Sequence, residues 1–225
     1  MRKKWLRGIW TAFLFSVCIS LLLMCNHAYA ALTKTTTIDE IDAWQAVTAA
    51  TLGEGNADSI SDSYNTILYV EVALIEAVAH SGCEVIIEVS YGDDNWMELT
   101  RFVGTAETAA TTQTAENPTP AGDTTVTLDD SATGDFDVVG RKWFIKDGTI
   151  GNSESVRTKS DNANVVTLCQ DTLREHAVDS DCYDRVDEWV IQLPAAASYV
   201  RTLVNNVDAD CDVAFTTRIS KVTGL

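Results

Sequence analysis

Thr66-Ile67-Leu68-Tyr69-Val70-Glu71-Val72-Ala73-Leu74 places Leu68, Val70, Val72 and Leu74 on one side of an extended chain and Ile67, Tyr69, Glu71 and Ala73 on the other. That two-residue period belongs to a strand packed against a core. The continuation through Ile75, Glu76 and His80 could pass for a helix, but the β-branched content and Gly82 favour a strand and its exit. Glu84 to Tyr91 repeats the pattern, with Val85, Ile87, Val89 and Tyr91 sharing a face. The turn Gly92-Asp93-Asp94-Asn95 then leads into Trp96 to Val103, and the pair reads as a hairpin.

Further along, residues 104–123 turn to Thr, Ala, Gln and two prolines, Pro118 and Pro120, which is linker chemistry. Short strand-like runs follow at Thr124–Leu128, Lys142–Lys146, Ser155–Lys159 and Asn164–Cys169. The longer alternation returns at Glu188–Leu193, Ser198–Asn205 and Cys211–Ser220, where Val213, Phe215, Thr217 and Ile219 share a face. Counting Trp44 to Leu52 as the first strand, the strands ahead of the linker leave one apolar face uncovered, and a sheet buries such a face against another layer. The expected fold is all-β: an antiparallel β-sandwich of about seven strands, jelly-roll or immunoglobulin-like, formed by residues 43–103 and 186–225, with a small β-barrel-like subdomain inserted at 124–185. Such an insertion costs little, because loop-closure entropy grows only with the logarithm of length.

At the N-terminus, Arg2, Lys3, Lys4 and Arg7 precede an apolar run from Ile9 to Met24 and then Ala28-Tyr29-Ala30. This is the pattern of a signal peptide over residues 1–30, and the run is shorter than the roughly 18 residues of a spanning helix. The expected location is secreted or at the cell surface, with no stable membrane insertion after cleavage. Cleavage takes four positive charges and no acids, moving the formal charge from −17 to −21. So acidic a chain lacks the basic side chains that nucleic acid or an anionic lipid surface requires.

Four cysteines lie beyond the leader, and an oxidising compartment would pair them. Cys169 and Cys182 flank a polar stretch able to turn back, while Cys83 and Cys211 each open a strand-like run, so the expected disulfides are Cys83–Cys211 and Cys169–Cys182. No phosphate loop, nucleophile elbow or zinc-protease motif occurs. His80 and His176, the two histidines after the leader, read as loop residues, and a close carboxylate pair is not singled out. Asp208, Asp210 and Asp212 alternate around Cys211, and Asp179, Asp181 and Asp184 gather near Cys182; hard oxygen ligands at alternate positions suit calcium, and the first trio is the expected site, with no other cofactor. Asp93 and Asp94 beside Trp96 form an acidic, aromatic hairpin tip of the kind that makes contacts. Trp44, Trp96, Trp143 and Trp189 lie on four separate strands, and core packing explains them more simply than a sugar-stacking platform does.

Ser61 to Val70, Val85 to Ser90 with Asp93-Asp94-Asn95-Trp96, and Leu193-Pro194 followed by Tyr199-Val200-Arg201 resemble small β-sandwich structural proteins of tailed bacteriophages. Val138-Val139-Gly140, Trp143 to Gly148 and Ser155-Val156-Arg157 are similar to small barrels of virion and tail proteins. The resemblance implies assembly or display rather than catalysis, and it brings no functional residues; the export signal departs from that family's pattern. The expected role is therefore a non-catalytic surface, fibre or matrix subunit that associates with itself or another extracellular protein. Residues 31–42 are a Thr-rich extension able to add to a neighbour's sheet edge. The second reading is a glycan- or calcium-binding module using the loops at 92–95 and 207–212, and the third is a secreted hydrolase.

Overall fold

The computed structural model describes residues 35–92, 95–115 and 119–223. The leader therefore lies outside the described residues, as do Asp93 and Asp94. Strands run through the chain in the order β1 (Thr35–Val47), β2 (Leu52–Glu54), β3 (Asp58–Ser59), β4 (Asn65–Leu74), β5 (Cys83–Ser90) and β6 (Trp96–Val103). Then come β7 (Thr111–Gln113), β8 (Thr125–Thr127), β9 (Lys142–Ile145), β10 (Glu154–Asn162), β11 (Val165–Leu168) and β12 (Asp181–Tyr183). The chain closes with β13 (Val186–Gln192), β14 (Tyr199–Asn206) and β15 (Val213–Thr223).

Two antiparallel sheets, β1-β15-β4-β13 and β2-β14-β5-β6, make the sandwich, with β3 added to β14. Alternation does the sorting. In β4, Leu68, Val70 and Val72 are buried, in β5 Val85, Ile87 and Val89, and in β15 Val213, Phe215 and Ile219. These residues from both halves of the sequence belong to one hydrophobic cluster. The segment from β7 to β12 builds a third, six-stranded sheet, β7-β12-β9-β10-β11-β8. It carries its own cluster around Phe136, Trp143, Val156 and Val166.

Three expectations change. The Thr/Ala tract is not featureless: Thr111–Gln113 pairs with β12, because Thr112 is buried there while its neighbours face water. The first sandwich strand is not Trp44–Leu52; it ends at Val47, and a turn with Ala50 at positive φ leads to β2. The described part of the N-terminal extension is already a strand of its own sheet, since Thr35–Val47 pairs with β15 from Thr35↔Thr223 to Val47↔Val213. Trp44 and Trp143 are core residues, whereas Trp96 and Trp189 are only partly buried.

Candidate functional site

Cys83, Cys169, Cys182 and Cys211 are free thiols in the structure, which holds neither of the expected pairings, Cys83–Cys211 and Cys169–Cys182. Their surroundings differ. Cys182 is enclosed in the second cluster while Cys169 is exposed, and Cys83 lies against Gly104, where a Cβ would come within 2.7 Å of its sulfur. Cys211 directs its thiol to the Ala79 carbonyl at 3.5 Å.

Two carboxylates of the acidic trio near Cys211, those of Asp208 and Asp212, are held by donors. Asp208 Oδ1 accepts the Asp210 and Cys211 N–H groups at 2.8 and 3.0 Å, and Oδ2 accepts the Ser81 N–H at 2.6 Å and its hydroxyl at 2.5 Å. These bonds, led by the Ser81 hydroxyl, hold the Asp208 carboxyl well below the usual carboxylate range. Asp212 accepts the Ala49 N–H at 2.8 Å. A carboxylate whose two oxygens already face N–H and O–H groups acts as a turn clamp, and among the described residues no three His, Cys, Asp or Glu side chains converge as metal ligands. Of the acidic hairpin tip, only Trp96 is described, half-buried at the start of β6. His80 Nδ1 accepts the Gly82 N–H at 2.8 Å, and neither histidine is bonded to a serine hydroxyl.

The most elaborate constellation lies where the six-stranded sheet meets the outer face of β1-β15-β4-β13. Ile38, Glu40, Trp44, Thr216 and Arg218 from that sheet, with Ser153, Glu154, Ser155, Gln170, Leu173 and Arg174 opposite, line a groove of about 380 Å³. Beneath it, buried Glu154 takes the Leu173 and Arg174 N–H groups at 2.9 and 3.3 Å and meets His176 Nε2 at 2.5 Å. His176 Nδ1 is buried and has no hydrogen-bond partner among the described residues. Beside them, Glu71 of β4 accepts Lys142 and Arg218, each at 2.9 Å, and the Ser155 hydroxyl. Lys142 continues to Glu188 at 2.6 Å, and Glu188 to Arg157 at 2.7 Å. Trp44 packs on Phe144 of β9 with ring centroids 4.5 Å apart. Every charged member of this set is answered by a protein group, so it works as a joint between sheets. Sequence patterning missed Glu71, Lys142 and Glu154 because their partners are distant in sequence; the one signal was an acid inside an otherwise apolar strand.

The long edge of the same sheet differs in kind. β1 closes one end of the strand order, so only one of its edges is bonded to β15. Its register breaks between Glu40 and Asp42 and again before Gln45, and the 3₁₀ turn Ile150–Asn152 packs beside it. Ahead of those bulges, Thr35 to Glu40 run in unbroken register and are all exposed, Ile38 at 71%.

No protein-family model matches the chain, and no curated protein is similar to it. Among solved structures it is distantly similar to a mitogen from Yersinia pseudotuberculosis, at 7% identity over 86% of this chain and 87% of that one, TM-score 0.28. It is likewise similar to the SPBc2 prophage-derived protein YomS, at 12% identity over 85% and 96%, TM-score 0.28. A family 16 carbohydrate-binding module is similar at 8% identity over 76% and 70%, TM-score 0.26. At TM-scores below 0.5 these likenesses carry no weight for role.

Proposed function

We propose that this chain is an exported, non-catalytic structural subunit that assembles by adding strands at the open edge of β1. The supporting observation is the six-residue run Thr35–Glu40, extended, exposed and unpaired on its outer side among the described residues. An edge of this length with a β-branched, largely uncharged sequence is a template for another strand, and proteins that stay monomeric block such edges with bulges or lysines. Here the bulges protect only residues beyond Glu40. Non-catalytic character is supported by the engagement of both described histidines in structural bonds. Export is supported by the signal-like residues 1–30.

The test is light scattering and electron microscopy of the chain starting at Ala31, beside a Thr36→Lys/Ile38→Lys variant. Oligomers or filaments are expected for the parent and monomers for the variant, with unchanged circular dichroism. A parent that stays monomeric at high concentration, or a variant that assembles as well, removes the proposal.

A further inference from the structure

We propose that the open run of β1 takes a second copy of this chain, laid antiparallel across a two-fold axis beside Ile38, and that Leu173 of the inserted segment closes over the joint. This rests on assembly through β1 and narrows it to one occupant and one register.

Three observations build the seat. First, the open run is bounded. Thr35–Glu40 is exposed, pairs only with β15 among the described residues, and ends at the bulge after Glu40, beyond which the 3₁₀ turn Ile150–Asn152 lies against the strand. An incoming strand therefore has six residues, or about 20 Å, to pair with. Second, Ile38 and Leu173 are each 71% exposed, and both line the groove between β1 and the six-stranded sheet. Two elements distant in sequence thus supply one apolar lip. Third, the lip is fixed in advance. Glu154 holds the Leu173 and Arg174 N–H groups, and the Arg174 guanidinium bonds Gly151 and Asn152 of the turn and reaches Glu40 at 3.9 Å. The loop that carries Leu173 is tied in this way to the end of the open run, so little freedom is lost when a partner arrives.

Symmetry and charge select the register. Opposite residues of an antiparallel pair point to the same face, so a two-fold axis perpendicular to the sheet must pass beside a residue and not between two. Beside Ile38, it lays Thr36–Glu40 on its own copy: Ile38 meets Ile38, Thr37 meets Asp39 and Thr36 meets Glu40. Each acid then faces a hydroxyl able to donate to it, and the two isoleucines cover each other. An axis beside Thr37 would set each Ile38 against a threonine and place Glu40 beyond the described run. A parallel, in-register pairing would set Asp39 on Asp39 and Glu40 on Glu40, and like charges directly opposite are destabilising. The axis beside Ile38 also keeps both grooves on one face of the joined sheet, which brings the Ile38 and Leu173 side chains of the two protomers into one apolar seam.

Disulfide trapping tests the register. It uses protein expressed from the full chain with its leader and purified after export, at physiological salt, in a Cys169→Ser background that removes the exposed native thiol. Ile38→Cys should cross-link to its own copy. Glu40→Cys alone should not, because about 14 Å of strand separates the two copies, but it should cross-link when mixed with Thr36→Cys. Leu173→Asp, a change at an exposed side chain outside β1, should raise the concentration for half-dimerisation at least about tenfold in light scattering, with unchanged circular dichroism, as loss of a buried leucine predicts. If the parent stays monomeric, assembly through β1 falls and this register falls with it. If the parent assembles but Ile38→Cys fails to cross-link, if Glu40→Cys cross-links to itself as readily as Ile38→Cys, or if Leu173→Asp assembles as the parent does, this inference alone is overturned.

Discussion

Single residues already separate what burial dictates from what spacing implied. Burial pushes the Cys83 thiol up to about 12, with Asp187 adding to the rise, and the Cys211 thiol up to about 11, with Asp208 adding; Cys182 is raised as well, in full enclosure. Thiols in that state are protonated at neutral pH and shielded from reagent, whereas Cys169 is exposed. In the folded protein at pH 8, iodoacetamide should therefore label Cys169 within minutes and Cys83, Cys182 and Cys211 only after denaturation, as read by peptide mass mapping; a peptide linking any two of them would contradict the free-thiol structure. Asp42 makes a second case. Desolvation raises its carboxyl above the usual carboxylate range, against the opposing pull of the Asn56 N–H, the nearby Thr217 hydroxyl and the Asn56 side chain, and its Oδ2 is buried without a hydrogen-bond partner. Because its pKa is higher folded than unfolded, its contribution to stability is full below the ordinary carboxylate pKa and is lost as pH rises through the folded value. Asp42→Asn keeps an acceptor for Asn56, whose N–H and Nδ2 both reach Oδ1 at 2.8 Å, and removes the charge. It should match the parent below pH 3 and exceed it at pH 7 by about 1 kcal/mol, the low end of the cost of a buried unpaired polar atom, in urea titrations at both pH values.

At the scale of strands, alternation carries the information where one face is buried and fails where it is not. Thr66–Leu74 and Glu84–Tyr91 could be read to within a residue or two because Val70, Val85 and their neighbours recur at every second position, and Trp96–Val103 because the turn-forming run Gly92-Asp93-Asp94-Asn95 precedes it. Thr35–Glu40 could not, since both its faces are exposed and its partner β15 lies at the far end of the sequence. β7 escaped for a similar reason: three residues with one buried threonine leave no period to detect. The joint was equally hidden. Glu71 breaks the apolar run of β4, yet nothing local says that Lys142, Ser155 and Arg218 will gather on it. Its charge now answers two cations at a mostly buried position, so Glu71→Gln leaves Lys142 with Glu188 alone and Arg218 without its carboxylate. Removing one member of a buried pair costs about 3–5 kcal/mol, and the partial exposure of Arg218 places this case near about 3 kcal/mol in urea denaturation. A loss under about 0.5 kcal/mol would show that the ions ride on packing already secured by Trp44 and Phe144.

For the whole molecule the question is whether two hydrophobic clusters mean two folding units. Phe144 and Tyr183 come from the six-stranded sheet but pack in the sandwich cluster, and Phe144 alternates along β9 with Trp143 and Ile145, which point into the second cluster. β9 is thus shared by both interiors, and neither can lose it without opening the other. The Glu71 network binds the same boundary with polar bonds to Lys142 and Ser155. Two-state behaviour is expected wherever neither part is stable without the contacts between them, so calorimetry of the parent should give one transition with equal calorimetric and van't Hoff enthalpies. Trp44→Ala removes the sandwich's contact with Phe144 and opens a cavity at the groove wall, at a cost of about 3–5 kcal/mol. That loss falls on the boundary and on the sandwich, while the second cluster around Phe136 and Trp143 keeps every contact. The variant should therefore melt in two steps, the sandwich first and the six-stranded sheet later, with Trp143 fluorescence following only the second. A parent that already melts in two steps would mean that β9 does not couple the clusters, and a variant that still melts in one would place the coupling in the ion network instead of the rings.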